Sequence, residues 1–152
     1  MAKPGITAAL CSLSFCLLAA GDPFAGVWKL NLAKSKLPPP VPQSQTVHIK
    51  ADDKSIGVRE EIVSDKGERL TVTVDAKFDG KDYPVNGSPF ADAVAYRRVN
   101  SRTLEGVGKK AGKVVVNETV VVSKDGKTVT ATYSGTDPEG KPVSGIAVFE
   151  KQ

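Results

Sequence analysis

Charged residues on strand faces that are otherwise apolar are the places where this sequence could do chemistry. Glu60 shares a face with Ile56, Val58 and Ile62, and Glu118 shares one with Val114, Val116, Val120 and Val122. Arg98 follows Val94 and Tyr96 at the same alternation. Burying a charge is unfavourable unless it is paired and hydrogen-bonded, so these residues are either partnered inside or placed at a wet end. The functional reading is that Glu60, Arg98 and Glu118, with Tyr96 and Tyr133, line an interior and give a mostly apolar pocket its few polar contacts. The structural reading is an internal ion pair, a position at a mouth, or a bulge that shifts the register by one. A slipped register would bring Arg97 inside in place of Arg98.

Other machinery is missing from the sequence. The single histidine, His48, lies between Val47 and Ile49. If those two point inward, His48 points to solvent and is no base. No G-x-S-x-G elbow, H-E-x-x-H pair, spaced Cys/His set, EF-hand loop or phosphate-cradling glycine loop occurs in the sequence. Neither catalytic residues, a cofactor nor a metal site is expected. Carboxylates alone could serve as acid and base, but an enzyme of that kind needs two carboxyl groups facing each other across a cleft. Nothing in the spacing selects such a pair.

The elements that must position these side chains are short β-branched runs separated by turn residues, roughly every ten positions. The pattern predicts nine strands: Gly26 to Leu32, Gln45 to Ala51, Ser55 to Ser64, Glu68 to Phe78, Ala93 to Val99, Thr103 to Gly108, Lys113 to Ser123, Thr128 to Ser134 and Val143 to Lys151. Asp65-Lys66-Gly67, Asp79-Gly80, Ala111-Gly112, Asp125-Gly126 and Glu139-Gly140 supply turn residues that tolerate positive φ. Leu70, Val72, Val74, Ala76 and Phe78 alternate with polar residues, as do Val129, Ala131 and Tyr133. One buried and one wet face per strand implies an all-β, antiparallel up-and-down barrel, with a β-sandwich as the fallback.

Two segments break the rhythm. Leu37-Pro38-Pro39-Pro40-Val41-Pro42 cannot join a central strand, because proline lacks the amide hydrogen that a ladder needs. It reads as a stiff crossing that could cover one barrel end. Tyr83 to Phe90, with two prolines, Asn86 and Gly87, reads as a folded loop.

Phe24-Ala25-Gly26-Val27-Trp28-Lys29-Leu30 resembles the G-x-W signature that opens the first strand of lipocalins and related calycins, with Gly26 and Trp28 at the matching positions. The resemblance implies that Trp28 packs across a closed barrel bottom under a basic residue from near the chain end, for which Lys151 is the candidate. Trp28-Lys29-Leu30-Asn31, Phe78 to Val85, Ser123 to Thr128 and Phe149-Glu150-Lys151-Gln152 are further similar to a group of secreted bacterial proteins described only as lipocalin-like. That resemblance implies a barrel and carries no activity.

The beginning of the chain reads differently. Lys3 followed by an apolar Ile6 to Ala20 and small residues up to Gly21 looks like a secretory signal peptide, too short for a roughly 20-residue membrane span. The expected organisation is thus a signal peptide over 1–21 and a barrel domain over 22–152. Cys11 and Cys16 both fall in the first part, and the bulky Leu10 and Phe15 before them argue against a lipidated anchor. A formal charge of +4 spread among 17 acidic residues is no nucleic-acid footprint. The expectation is an exported, secreted or periplasmic monomer without stable membrane insertion, holding a small apolar molecule. The competing reading is a structural or protein-interaction β-domain without a small-molecule site. An internal void of several hundred Å³ favours the first reading, and a solid interior the second.

Overall fold

The computed structural model describes residues 21–152, and the expected signal peptide with Cys11 and Cys16 lies outside them, apart from Gly21. Ten antiparallel strands close into one barrel. They are β1 (Gly26–Leu30), β2 (Ser44–Ala51), β3 (Ser55–Val63), β4 (Arg69–Lys77), β5 (Tyr83–Asn86), β6 (Ala93–Asn100), β7 (Thr103–Lys110), β8 (Lys113–Val122), β9 (Thr128–Thr136) and β10 (Pro142–Lys151). Each pairs with its neighbour in sequence, and β1 pairs with β10 to complete the circuit. Closure gives every strand two partners and removes the exposed edges that a sandwich would leave, so the sandwich alternative falls.

The strand absent from the sequence reading is β5. Tyr83–Asn86 was expected in a loop because Pro84 cannot donate to a ladder. It forms instead a four-residue strand whose register reaches only Thr73 and Val74 on one side and Val94 and Ala93 on the other. Without it, β4 and β6 would face one another across an open seam, so closure overrides the weak local preference. At the other end of the chain, Asn31 and Leu32 leave the expected first strand. The Asn31 side chain accepts from the Lys34 amide at 3.1 Å and caps a single 3-10 turn over Leu32–Lys34.

A floor seals one end. Trp28 is buried, with its indole N–H donating to the Phe24 carbonyl at 2.8 Å. Lys151 lies over the ring with its Nζ 5.2 Å from the centroid, as the family resemblance implies. Gly26 has φ of +142°, and a Cβ there would stand 2.9 Å from the Lys151 side chain, which explains why glycine precedes the tryptophan by two. Arg98 completes the floor. Its guanidinium lies 4.4 Å from the Phe78 ring centroid and donates to Asp22 at 2.7 Å and to the Asp52 carbonyl at 3.0 Å. Among the described residues no helix is long and apolar enough to cross a membrane.

The Asp22–Arg98 pair is buried, with side-chain exposures of 7% and 17%. Removing one partner of such a pair leaves the other charge uncompensated, a loss of about 3 kcal/mol. Asp22→Asn is therefore expected to lower the urea-unfolding free energy by about that amount. An unchanged midpoint would show that the floor does not depend on this contact.

Candidate functional site: a hollow lumen with two facing carboxyls

Above the floor the barrel is not filled. A cavity of about 430 Å³ runs from Trp28 to the opposite end, where Pro38, Pro40, Pro42 and Phe90 border it. The proline crossing thus does cover one barrel end. It leaves β1 through a two-way backbone bridge between Lys36 and Ile146 and reaches β2 over the opening. A second lobe of about 190 Å³ adjoins the first, bounded by Leu70, Val72, Val85 and Val94. Glu60, Tyr96, Val116, Glu118 and Phe90 border both lobes.

Four of the five expected site residues meet here: Glu60, Tyr96, Glu118 and Tyr133 all line the cavity. The placement of Tyr96, Glu118 and Tyr133 follows from one row of the sheet, while Glu60 lies opposite Val47 and Val72 on the other wall. Tyr96 on β6 is opposite Gly106 on β7, Gly106 is opposite Glu118 on β8, Glu118 is opposite Tyr133 on β9, and Tyr133 is opposite Gly145 on β10. The glycines provide the space. A Cβ on Gly106 would lie 2.6 Å from Glu118 Oε1 and 3.0 Å from Tyr96, while one on Gly145 would collide with the Tyr133 hydroxyl. At two of the five positions of this row the backbone is bare, and Tyr96, Glu118 and Tyr133 fold sideways over it.

A bulge sets this row. The β7–β8 ladder shifts register between Gly108 and Lys109, so that two residues, Val115 and Val116, are passed where one partner residue is. Continued from the Ala111-Gly112 turn without the shift, the ladder would put Asn117 opposite Gly106. The same shift corrects one expectation: Val114 does not share the inward face of Glu118 but is 52% exposed.

Arg98 does not join the other four. It is on the inward face of β6 as alternation requires, but two residues past Tyr96, about 7 Å further along the strand, where the floor begins. Its partners there are Asp22 and the floor backbone, and it borders neither lobe. Arg97 points outward and pairs with Glu105 at 2.7 Å, so the slipped register falls as well. His48, between two residues of which both border the lumen, faces outward as expected.

One site residue escaped the sequence reading. Gln45 borders the lumen and donates from Nε2 to Glu60 at 3.0 Å. The alternation that turns Val47 and Ile49 inward places Gln45 on the same face, so the signal was present.

The electrostatics of the lumen are one-sided. Glu60 on β3 and Glu118 on β8 are carried by strands five positions apart in either direction around the circuit, hence on opposite walls. No lysine, arginine or histidine borders either lobe among the described residues. Burial, reinforced by repulsion from Glu60, pushes the Glu118 carboxyl up from 4.5 to about 7. Burial also raises Glu60, opposed in part by the hydrogen bond from Gln45. Tyr96 is raised well above its ordinary value by burial and then by the two carboxylates, and so stays neutral. Two carboxyl groups so placed titrate as a pair. Among the described residues, no group of three or more metal-ligating side chains forms.

A carboxyl whose folded-state value is raised binds its proton more tightly folded than unfolded. It therefore destabilises the fold progressively as pH rises from its ordinary value of 4.5 through about 7. For Glu118 the destabilisation above that window reaches at most about 3 kcal/mol. Glu118→Gln removes it. The variant is expected to unfold later than the parent at about pH 8 and at nearly the same denaturant concentration at about pH 4. A variant less stable than the parent at about pH 8 would contradict the burial of that charge.

The sequence matches no protein-family model, and no curated protein matches it. Among solved structures, the chain is similar to zebrafish ileal bile acid-binding protein complexed with cholic acid, with a TM-score of 0.55 at 11% identity, over 86% of this chain and 99% of that one. It also aligns with apocrustacyanin C2, with a TM-score of 0.48 at 13% identity, over 86% of this chain and 62% of that one. The first likeness concerns the fold alone. With the closed antiparallel circuit, it gives the architecture as a ten-stranded antiparallel barrel of that fold.

Proposed function

We propose that this chain is an exported binding protein that holds a small, mostly apolar molecule inside its barrel. The observation that carries the reading is the hollow lumen of about 430 Å³, walled by aliphatic and aromatic side chains and furnished with only a few polar groups. Such a void favours a small-molecule site over a purely structural or protein-interaction role, which a solid interior would have supported. A solved barrel of similar fold, the bile acid-binding protein, holds cholic acid. Phe90, 65% exposed, borders the lumen at the end that the proline crossing covers.

A second reading rests on a specific feature. Glu60 and Glu118 meet the requirement of two carboxyl groups facing each other across a cavity, so acid–base chemistry on a bound molecule is the competing role. Native mass spectrometry of the purified full chain separates the two. A small molecule retained by the barrel and released unchanged after hours of incubation supports binding, and a molecule released in altered form supports catalysis.

The cavity is tested with Nile red, an uncharged dye that fluoresces in apolar surroundings. Ala131, an inward residue of β9 bordering the lumen, is replaced by Phe to fill it, and Val58→Phe does the same from β3. Saturable dye binding by the parent, abolished in whichever variant keeps the parent's circular dichroism, is the expected result. Dye binding unaffected by both substitutions would place the apolar site elsewhere and overturn the reading.

A further inference from the structure

We propose that the lumen selects an organic cation: a protonated amine on an apolar body, its ammonium seated between Glu60 and Glu118 and its hydrocarbon against the aliphatic walls. The inference rests on the reading of the barrel as a binding protein and assigns the chemical class of its ligand.

Three features of the lumen favour this class. The first is charge. Two carboxyl groups enter the cavity from opposite walls, and no basic side chain borders it among the described residues. A carboxylic acid would place a further negative charge beside them, and an uncharged hydrocarbon would leave them desolvated without compensation. An ammonium group supplies the missing positive charge beside the buried carboxyls, where the attraction is stronger than in bulk water.

The second is hydrogen bonding. Gln45 serves Glu60, but the described residues offer no hydrogen-bond donor to Glu118, and the Tyr96 and Tyr133 hydroxyls have no acceptor among them. An ammonium has three donors and no acceptor. It matches a site in which carboxylate and phenol oxygens converge from Glu60, Glu118 and Tyr96.

The third is the arrangement of rings. Tyr96 and Tyr133 flank Glu118 in the same row, held sideways over Gly106 and Gly145. Aromatic rings beside a carboxylate strengthen the attraction for a cation and not for an anion. The chain's formal charge of +4 does nothing to attract such a ligand from a distance, so the selectivity is local to the lumen.

Of the titratable groups around Glu118, Glu60 faces it from the opposite wall and Tyr96 and Tyr133 flank it in its own row, while Lys36 and Glu105 border a separate groove that Glu118 and Tyr133 also touch. Both tyrosines are raised, and burial raises both carboxyls, Glu118 to about 7. Amine binding therefore strengthens as pH rises from about 5 to about 8, where an alkylamine is still protonated.

The test uses decylamine, decanol and decanoic acid, three probes that share one chain length and differ in head group, titrated calorimetrically into the full-length protein. At about pH 8, decylamine is expected to bind at least about tenfold more tightly than decanol, and decanoic acid more weakly than either. The Glu60→Gln, Glu118→Gln double variant is expected to remove the preference for the amine while keeping decanol binding. Decanol or decanoic acid binding as tightly as decylamine would overturn the cation assignment and leave the binding barrel intact. Binding of none of the three, with Nile red also unbound, would overturn both.

Discussion

Two acidic groups share the interior of this barrel with no basic side chain bordering the lumen among the described residues, and much of the surrounding structure serves to keep them there. A charged carboxylate in an apolar chamber is costly, and either gaining its proton or finding a partner relieves that cost. The pair persists because closure leaves the wall no edge through which the side chains could turn outward, and because the alternation of each strand commits Glu60 and Glu118 to the same faces as Val58 and Val120. The glycines at 106 and 145 then give the bulky polar residues space to lie along the wall and leave the centre of the lumen open.

The molecule handles buried charge in two contrasting ways. At the floor, Arg98 is matched by Asp22 and by backbone carbonyls and lies against the faces of Phe24 and Phe78, so that charge acts as a structural tie. In the lumen, the carboxyls face a cavity and meet mainly one another. A buried ion held by a counter-charge is explained by the fold itself, even with the Arg98 Nε left without a hydrogen-bond partner, whereas a buried acid without a cation reduces stability and points to something that the folded chain alone does not supply. This contrast separates the residues that build the vessel from those that give it a chemical preference.

Much of this was legible in the residues. Period-two alternation placed Glu60, Tyr96, Glu118 and Tyr133 on inward faces, and Gly26 with Trp28 marked the strand that starts at the closed end. Alternation gives the face of a residue but not its height along the barrel, and for this reason Arg98, correctly turned inward, was grouped with residues a level above it. Height depends on the pairing register of several strands at once, and that register is set by bulges, such as the one near Val115, that no local pattern announces. Strand β5 was hidden for a related reason: its proline argues locally for a loop, and only the requirement to close the sheet makes it a strand. The row that joins Tyr96, Gly106, Glu118, Tyr133 and Gly145 spans five strands and exists only once the register is known.

The ionisation of Glu118 most directly measures how enclosed the lumen is. Side-chain carboxyl carbon shifts, followed by NMR as the ligand-free protein is titrated, report each glutamate separately. An enclosed acidic lumen requires Glu118 to titrate near 7, with Glu60 also displaced above the usual glutamate value. Both carboxyls titrating at the ordinary 4.5 would mean that they stand in bulk water, and the picture of an enclosed acidic lumen would be wrong.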